Sequence, residues 1–349
     1  MKDLLAGHAP NANLAPLDHC LSCRSCETTC PAGVQYTEIL DAVREHTQAD
    51  RPASQRLIDR ALGVTLSSRA LVTTVMRVAR WLRPLATRST KRRIPQSDAK
   101  LLWPSARHPK QVGIFLGCVQ PALAPDLDIK AAIILDRLGI SAIAVGPGCC
   151  GALPYHLHTH DKARAKARET LSLDRTEWEG FTSTATGCTA FLRDYPRLFK
   201  DTAETLQAQS FASHVADLAV WVEPSLLPIL PPHLRRRIAW HAPCSLQHGL
   251  KGATRVEAIL KALGHTLVPT SESALCCGSA GPYSLRHPHW AAALGRRKWR
   301  ALTNADPAEV VSANIGCLQH LAAYSDRPIR HWIDIVYEAL TNQDTSAHD

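Results

Sequence analysis

The stretch Ala142-Ile-Ala-Val-Gly-Pro-Gly-Cys-Cys-Gly151 decides the fold, because a short apolar run ends just before a Cys-Cys-Gly triplet. A second triplet, Cys276-Cys277-Gly278, follows later in the chain. Each triplet lies between two lone cysteines, and these are, in chain order, Cys118, Cys188, Cys244 and Cys317. The spacings are 31 and 38 positions in the first copy and 32 and 40 in the second, which indicates an internal duplication.

Short apolar runs precede the cysteines and helical patterns separate the runs. The runs are Val112–Leu116, Ala142–Val145, Arg237–Trp240 and Val310–Ala313. The helical patterns are Ile129–Leu138 and Arg255–Leu263, each followed by a glycine that favours a helix end. Alternating strands and helices predict a parallel sheet in each copy, with the cysteines meeting beyond the carboxyl ends of the strands.

Two further helices are predicted soon after the last cysteine of each copy, over Thr189–Phe199 and Leu318–Tyr324. A thiolate near a helix N-terminus is stabilised by the helix dipole, which favours metal ligation. Gly151 and Gly278 are expected to let the backbone approach closely behind the paired thiols.

The remaining four cysteines form the run Cys20-x2-Cys23-x2-Cys26-x3-Cys30-Pro31, the spacing typical of a bacterial [4Fe-4S] site. Three thiolates at this spacing surround one cluster, and the fourth ligates a second cluster in two-cluster ferredoxins. The chain contains one such run, so a fourth ligand must come from elsewhere. We therefore expect a working subunit to have a second motif upstream of Met1 or on a neighbouring chain.

Other interpretations of the cysteines and histidines are a zinc site, unligated thiols, or cysteines buried as small apolar residues. His241 near Cys244, and His156, His158 and His160 after the first triplet, are candidate ligands or proton carriers. Partly exposed polar histidines are the simpler expectation for all four. No Ser-His-Asp arrangement, phosphate loop or GxGxxG motif after a strand indicates catalysis by this chain alone.

Length and composition describe an ordinary globular chain of two or three domains. The 349 residues are 45% hydrophobic and 20% charged. Residues 77–110 hold ten Lys or Arg and one acid, Asp98, which equals the whole net charge of +9. We interpret this stretch as a solvated linker or as a dock for anionic lipid or an acidic partner; no nucleic-acid module accompanies it. No secretory signal or membrane-spanning run is recognised.

The segment Leu17–Tyr36 resembles the second cluster motif of the iron–sulfur subunits of glycolate oxidase, members of the cysteine-rich CCG-domain family. The resemblance extends over residues 17–340, and its other matching segments are Gly148–Ala152, Leu275–Gly281, Ala313–Cys317 and His331–Val336. It implies an α/β fold in which a helical ferredoxin-like [4Fe-4S] module precedes two tandem Rossmann-like CCG units. The expected domains are residues 1–50, the ferredoxin-type module; 51–110, a helical segment and basic linker; 111–230, the first unit; and 231–349, the second unit.

The resemblance implies an electron-transfer role in an enzyme complex. Flavin subunits carrying FAD would oxidise glycolate to glyoxylate, and this chain would relay the electrons toward membrane quinone. A [4Fe-4S] cluster is expected here, two in a complete family member, with further clusters in the CCG units. The expected metal ligands are Cys20, Cys23, Cys26, Cys30, Cys118, Cys149, Cys150, Cys188, Cys244, Cys276, Cys277 and Cys317. The location is expected to be cytoplasmic, peripheral on the inner face of the cell membrane.

Two departures from the family pattern leave alternatives open. The upstream ferredoxin motif is absent, and Ala185 and Asn314 stand where relatives often have a fifth cysteine in each unit. An unusual five-thiolate cluster is therefore in doubt. The alternative functions are a component of the lactate-utilisation or heterodisulfide-reductase type and a zinc-stabilised interaction protein without redox activity.

Overall fold

The computed structural model describes residues 1–6, 14–87, 91, 94, 101–146, 148–173 and 178–346. Its N-terminal region is helical, as predicted. The helices there are α1 (Lys2–Leu5), α2 (Ala15–Asp18), α3 (Ser25–Thr29), α4 (Tyr36–His46), α5 (Ala53–Ser67) and α6 (Arg69–Trp81), followed by a 3₁₀ turn at Arg83–Leu85. The Ser68 hydroxyl accepts a hydrogen bond from the Leu71 amide and so caps α6.

The basic stretch at residues 77–110 is only partly described. Because α6 continues to Trp81, the first part of this stretch is helical, and the expectation of a linker throughout is wrong. Four of its ten cations, Arg88, Arg92, Arg93 and Lys100, lie outside the described residues, as does Asp98.

The first parallel sheet has the strand order β2-β1-β3. Its strands are β1 (Gln111–Phe115), β2 (Ser141–Val145) and β3 (Gly180–Thr182), and Ile114 pairs with both Ala144 and Thr182. The helices of this unit are α7 (Gln120–Leu123), α8 (Leu127–Arg137), α9 (Ala152–His156), α10 (His160–Leu171), α11 (Thr186–Arg193), α12 (Tyr195–Leu198) and α13 (Thr205–Ser213). We call this region the first unit.

The second unit repeats this plan around a parallel sheet of order β5-β4-β6-β7. Its strands are β4 (Arg237–His241), β5 (Thr266–Leu267), β6 (Glu309–Ser312) and β7 (Ile329–His331). Its helices are α14 (Ala253–Ala262), α15 (Tyr283–Arg286), α16 (Pro288–Thr303), α17 (Ile315–Ala322) and α18 (Trp332–Ser346). A π-helical turn spans Ser245–Leu250, and 3₁₀ turns at Leu218–Trp221, Pro224–Leu226 and Pro232–Leu234 join the units. The prediction of parallel α/β units is confirmed.

One apolar core extends across both sheets. It includes Val112 and Ile114 of β1, Ile238 of β4 and Trp332 of α18, all at most 7% exposed. Helix α18 of the second unit packs on α8 of the first, and Lys130 donates to Asp334 across that contact at 2.6 Å. The units are therefore held in one fixed orientation, and the predicted boundary at residue 230 stays a prediction.

The N-terminal helices dock on both units through polar contacts. Arg24 pairs with Asp194 of the first unit, and Thr28 Oγ1 lies 2.8 Å from His248 Nδ1 of the second. Arg51 binds Asp18 with both guanidinium nitrogens, at 2.9 and 2.7 Å, and the pair is buried beside His158. Among the described residues, no helix is both long enough and apolar enough to cross a membrane.

Candidate metal centre

A cavity of about 410 Å³ lies between the two units and the N-terminal helices. Eight cysteines line it, namely Cys23, Cys118, Cys149, Cys150, Cys188, Cys244, Cys277 and Cys317. Cysteines of both units thus face the same space, because the carboxyl ends of the strands in both sheets point toward it. The internal duplication predicts a separate pocket for the cysteines of each unit, and that prediction is wrong.

The first cysteine set comprises Cys118, Cys149, Cys150 and Cys188. Its thiols contact one another in pairs, Cys118 with Cys149 and Cys150 with Cys188. Cys118, Cys149 and Cys150 are at most 5% exposed. The structure therefore brings together the four cysteines that the spacing predicted to meet.

The second cysteine set comprises Cys244, Cys276, Cys277 and Cys317, and its thiols form one connected group. Cys276 contacts both Cys244 and Cys277, and the Cys277 and Cys317 sulfurs lie 3.2 Å apart. A ring nitrogen of His241 lies with the Cys277 and Cys317 sulfurs, all within 4.8 Å of one another. This set thus has a nitrogen donor in addition to its four sulfurs.

Hydrogen bonds within each set favour one thiolate. The Gly151 amide donates to Cys149 Sγ at 3.4 Å, and the Gly278 amide donates to Cys276 Sγ at the same distance. A hydrogen bond from Cys118 lowers the pKa of Cys149, and hydrogen bonds from Cys244 and Cys277 lower the pKa of Cys276 well below the usual value. The first cysteine of each triplet is therefore the sulfur best prepared to bind a metal as thiolate.

The two triplet glycines occupy positions that a side chain could not. Their φ angles are +94° at Gly151 and +91° at Gly278. A Cβ atom at Gly151 would lie 2.9 Å from the Ala163 carbonyl oxygen of α10, and one at Gly278 would lie 2.7 Å from the Ala291 carbonyl oxygen of α16. The predicted close backbone approach behind the thiols is confirmed.

Cys188 and Cys317 lie inside helices rather than before them. They are the third residues of α11 and α17, which begin at Thr186 and Ile315. The helices were predicted to begin after the cysteines, and that boundary is wrong by a few residues. Both cysteines still lie in the first turn of their helices, close to the helix N-termini.

The ferredoxin-type motif, Cys20 to Pro31, lies at the rim of the cavity. Cys20 and Cys26 are exposed, whereas Cys23 and Cys30 are partly buried. Ser22 and Arg24 adopt left-handed backbone angles, which turn the loop around Cys23. Arg44 fixes this loop by donating to Ser22 Oγ at 3.0 Å, to the Leu17 carbonyl at 2.6 Å and to the Cys20 carbonyl at 3.2 Å.

Electrostatic contacts link this motif to the second cysteine set. Cys23 interacts with Cys20 and Cys26 of its own motif and with Cys276 of the second unit. Cys244 in turn interacts with Cys23. The dominant electrostatic neighbours of Cys118, Cys149 and Cys150 all belong to the first unit.

The candidate histidines are more buried than expected. His158, His160 and His241 are at most 4% exposed, so the expectation of partial exposure is wrong for them. Burial lowers the pKa of His158 to about 4 and that of His241 to about 3, so both rings are neutral near pH 7. His158 lies against the Asp18 carboxylate at 3.6 Å, whereas His241 faces thiols.

Sequence reasoning missed Lys298, whose side chain is 1% exposed. Its ammonium donates to the Glu272 and Ser273 carbonyls at 2.9 and 3.0 Å, and it interacts with the thiols of Cys276, Cys277 and Cys317. Nothing in the local sequence marks it, because it lies within an ordinary amphipathic helix. The side-chain amide nitrogen of Asn314 lies 3.6 Å from Cys317 Sγ.

The donor groups fit a soft metal. All twelve cysteines are free thiols, although sulfurs such as those of Cys277 and Cys317 lie in contact. Thiolates with an imidazole suit iron–sulfur clusters or zinc rather than magnesium or calcium. The fold and the site thus define a protein with two cysteine-rich units and a ferredoxin-type motif gathered around one cavity.

Comparisons with known proteins agree with this class. The family model described as cysteine-rich domain, CCG, matches residues 112–193 and 238–322. The chain is 37% identical to the glycolate oxidase iron–sulfur subunit of Escherichia coli K12 over 339 residues, covering 94% of this chain and 83% of that protein. It therefore belongs to the family of glycolate oxidase iron–sulfur subunits.

Two more distant relatives are also matched over most of their lengths. A probable glycolate oxidase iron–sulfur subunit of Bacillus subtilis is 25% identical, covering 86% of this chain and 76% of the relative. One of the subunits of the dihydromethanophenazine:CoB–CoM heterodisulfide reductase of Methanosarcina barkeri is 24% identical, covering 92% of this chain and 77% of the relative.

Proposed function

We propose that this chain is the iron–sulfur electron-transfer subunit of a glycolate, or more broadly 2-hydroxy-acid, dehydrogenase complex. Flavin subunits of the complex oxidise glycolate to glyoxylate, and this chain relays the electrons toward membrane quinone. The observation that carries the proposal is the 37% identity over 94% of the chain, together with the ferredoxin-type motif and both triplets in the sequence. The chain is not catalytic alone.

The residues proposed to hold clusters are the twelve cysteines. Cys20, Cys23, Cys26 and Cys30 serve a [4Fe-4S] cluster, and the two cysteine sets serve further iron–sulfur centres. Such clusters, when bound, exchange single electrons. The chain itself supplies the thiolates, a loop held in shape by Arg44, and a fixed orientation of both units around one cavity.

The relay is tested with the Cys23→Ala variant in the assembled complex. Glycolate should still reduce the flavin in the variant, whereas quinone reduction should fall to background, because the cluster carries electrons and does not touch substrate. The matched control is Thr29→Ala, which changes an exposed residue of the same motif whose hydroxyl donates only within α3, to the Ser25 carbonyl, and which should retain quinone reduction. Equal loss of flavin and quinone reduction in an intact complex contradicts the proposal.

The second candidate function is a thiol or disulfide reductase component, favoured by the similarity to a heterodisulfide reductase. Assays of the complex with glycolate, lactate and a disulfide separate the two. The zinc-stabilised interaction protein is separated more simply, because an anaerobically purified iron–sulfur protein is brown and contains iron and sulfide. Colourless protein with stoichiometric zinc would exclude electron transfer.

We also propose that the chain binds the cytoplasmic face of the membrane through α5, α6 and the basic stretch. The face of α6 formed by Leu71, Val75, Val78 and Leu82 is exposed, and Trp81 at its end is 80% exposed. Residues 53–87 contain six arginines and one acid, Asp59, which is buried against Arg286. An apolar, cationic face without exposed acids is complementary to an anionic bilayer.

Vesicle flotation tests this surface. The chain should bind vesicles containing phosphatidylglycerol and leave them in high salt, because exposed charges are screened. Val78→Glu should weaken binding about tenfold or more, whereas Leu206→Glu, at an exposed leucine of α13, should not. Equal binding by both variants contradicts the assignment of this face.

A further inference from the structure

The second unit differs from the first at the end of its first strand. Phe115 and His241 are equivalent, since each ends its strand three positions before the lone cysteine of its unit. Phe115 packs into the apolar core with Phe181, whereas His241 places a ring nitrogen among the thiols. The second unit thus adds a nitrogen donor to its cysteine sulfurs, beside those of Cys277 and Cys317.

The hydrogen bonds of Ser312 orient the His241 ring. Ser312 Oγ donates its one hydrogen to the His241 carbonyl at 3.1 Å, so it accepts from His241 Nδ1 at 2.8 Å. Nδ1 then carries the proton, and Nε2 keeps a free lone pair. A hydrogen-bond partner on the outer nitrogen is the usual support for a histidine that ligates a metal.

A buried cation faces the same thiols. Lys298 and Thr170 occupy equivalent positions in the two units. Lys298 lies seven residues after Ala291 of α16, which is next to Gly278. Thr170 lies seven residues after Ala163 of α10, which is next to Gly151. Within the described part of the chain, the buried Lys298 ammonium donates to two carbonyl oxygens, those of Glu272 and Ser273. A buried charge requires a counter-charge, and the electrostatic neighbours of Lys298 are Cys277, Cys276 and Cys317 of the second cysteine set together with Glu272.

We propose that the second unit holds a metal centre ligated by His241 together with its cysteines, and that this centre exchanges electrons with the ferredoxin-type centre. This inference rests on the proposed function. Cys23 lines the same cavity as Cys244, Cys277 and Cys317, which places the two centres side by side. Each transfer oxidises one centre by one electron and reduces the other by one, with no bond made or broken; the reduced flavin of the partner subunits supplies the electrons.

The ligand is tested on the anaerobically purified full chain labelled with ¹⁵N-histidine. Pulsed EPR of the reduced protein, with X-ray absorption for a metal without an EPR signal, should show one nitrogen ligand. His241→Phe, which installs the first unit's residue, should remove the nitrogen signal and weaken metal binding about tenfold or more. His241→Cys should keep the metal and lose the nitrogen signal.

Two controls separate this inference from the proposed function. His248→Gln changes a nearby histidine that binds Thr28, and it should leave the nitrogen signal intact. A nitrogen signal and metal content unchanged in His241→Phe overturn the inference. Metal content unchanged when Cys276 and Cys277 are both replaced by serine also overturns it, yet leaves the relay through the ferredoxin-type motif standing. Protein without iron overturns the proposed function itself.

Discussion

The two cysteine-rich units share a backbone plan and differ in the groups placed around their thiols. Both have a parallel sheet, a glycine with positive φ behind the thiol pair, and a cysteine in the first turn of a helix. Phe115 of the first unit packs against Phe181, whereas in the second unit His241 places a ring nitrogen beside the thiols and buried Lys298 interacts with them. Duplication thus preserved the positions of the thiols, while the surrounding side chains gave the two sets different electrostatic environments.

The largest effect we predict tests whether the backbone plan is equivalent in the two units. Gly151→Ala and Gly278→Ala should each destabilise the protein by about 4 kcal/mol, because the new Cβ adds left-handed strain and overlaps a helix carbonyl. Denaturant unfolding of the metal-free protein measures this. Gly139→Ala is the control. Gly139 also has a positive φ but has open space around it, so this variant measures the backbone strain without the steric overlap. A small effect at one triplet glycine and not the other would break the equivalence.

A pH-dependent difference should appear in the first unit. Asp128 of α8 is buried, and burial raises its pKa to about 6. The folded state therefore binds a proton more tightly than the unfolded state, so stability is present at low pH and falls as pH rises from about 4 to about 6. Between pH 4 and pH 7 the free energy of unfolding of Asp128→Asn should therefore fall by about 2–3 kcal/mol less than that of the unchanged protein, with little difference between the two at pH 4. The equivalent residue in the second unit is exposed Thr254, and Thr254→Ala should leave the pH profile unchanged.

The charge difference between the units is tested at Lys298. Lys298→Met should lower the reduction potential of the second unit's centre by about 60 mV, a tenfold change for one electron, because a nearby cation stabilises the reduced form. Potentiometric titration followed by EPR measures the shift. Thr170→Met, at the equivalent place in the first unit, should leave that potential unchanged. A shift of the same size in both variants would indicate a packing effect rather than a charge effect.

The smallest effects compare how the N-terminal module is held on each unit. Arg24→Ala removes the ion pair with Asp194 of the first unit, and Thr28→Val removes the hydrogen bond with His248 of the second. Each should lower the protection of residues 14–50 from hydrogen exchange by about 1 kcal/mol. Exchange elsewhere in the chain serves as the internal control. Unchanged protection in both variants would show that other contacts, such as Arg51 with Asp18, hold the module alone.

Much of the fold was predictable because it depends on local patterns. The apolar runs before Cys118 and Cys244 predicted β1 and β4, and glycines 139 and 264 ended the helical patterns close to the observed ends of α8 and α14. Strands β3, β5 and β7 were missed, since two or three residues are too short for a periodic signal. The sequence predicts a linker from residue 77 onward, although α6 continues to Trp81, because the prolines and arginines of this stretch obscure the end of the helix.

The sequence by itself determined the duplication, the class of α/β fold and the residue types that can bind a soft metal, because these follow from spacing and hydrophobic period along the chain. The tertiary structure alone decided that both cysteine sets face one cavity, that Cys23 approaches the second set, and that Lys298 and His241 lie beside its thiols. The physical reason is that these contacts join residues far apart in the chain. They form where α18 packs against α8 and where the N-terminal helices cover the space between the units. No local sequence pattern specifies that packing.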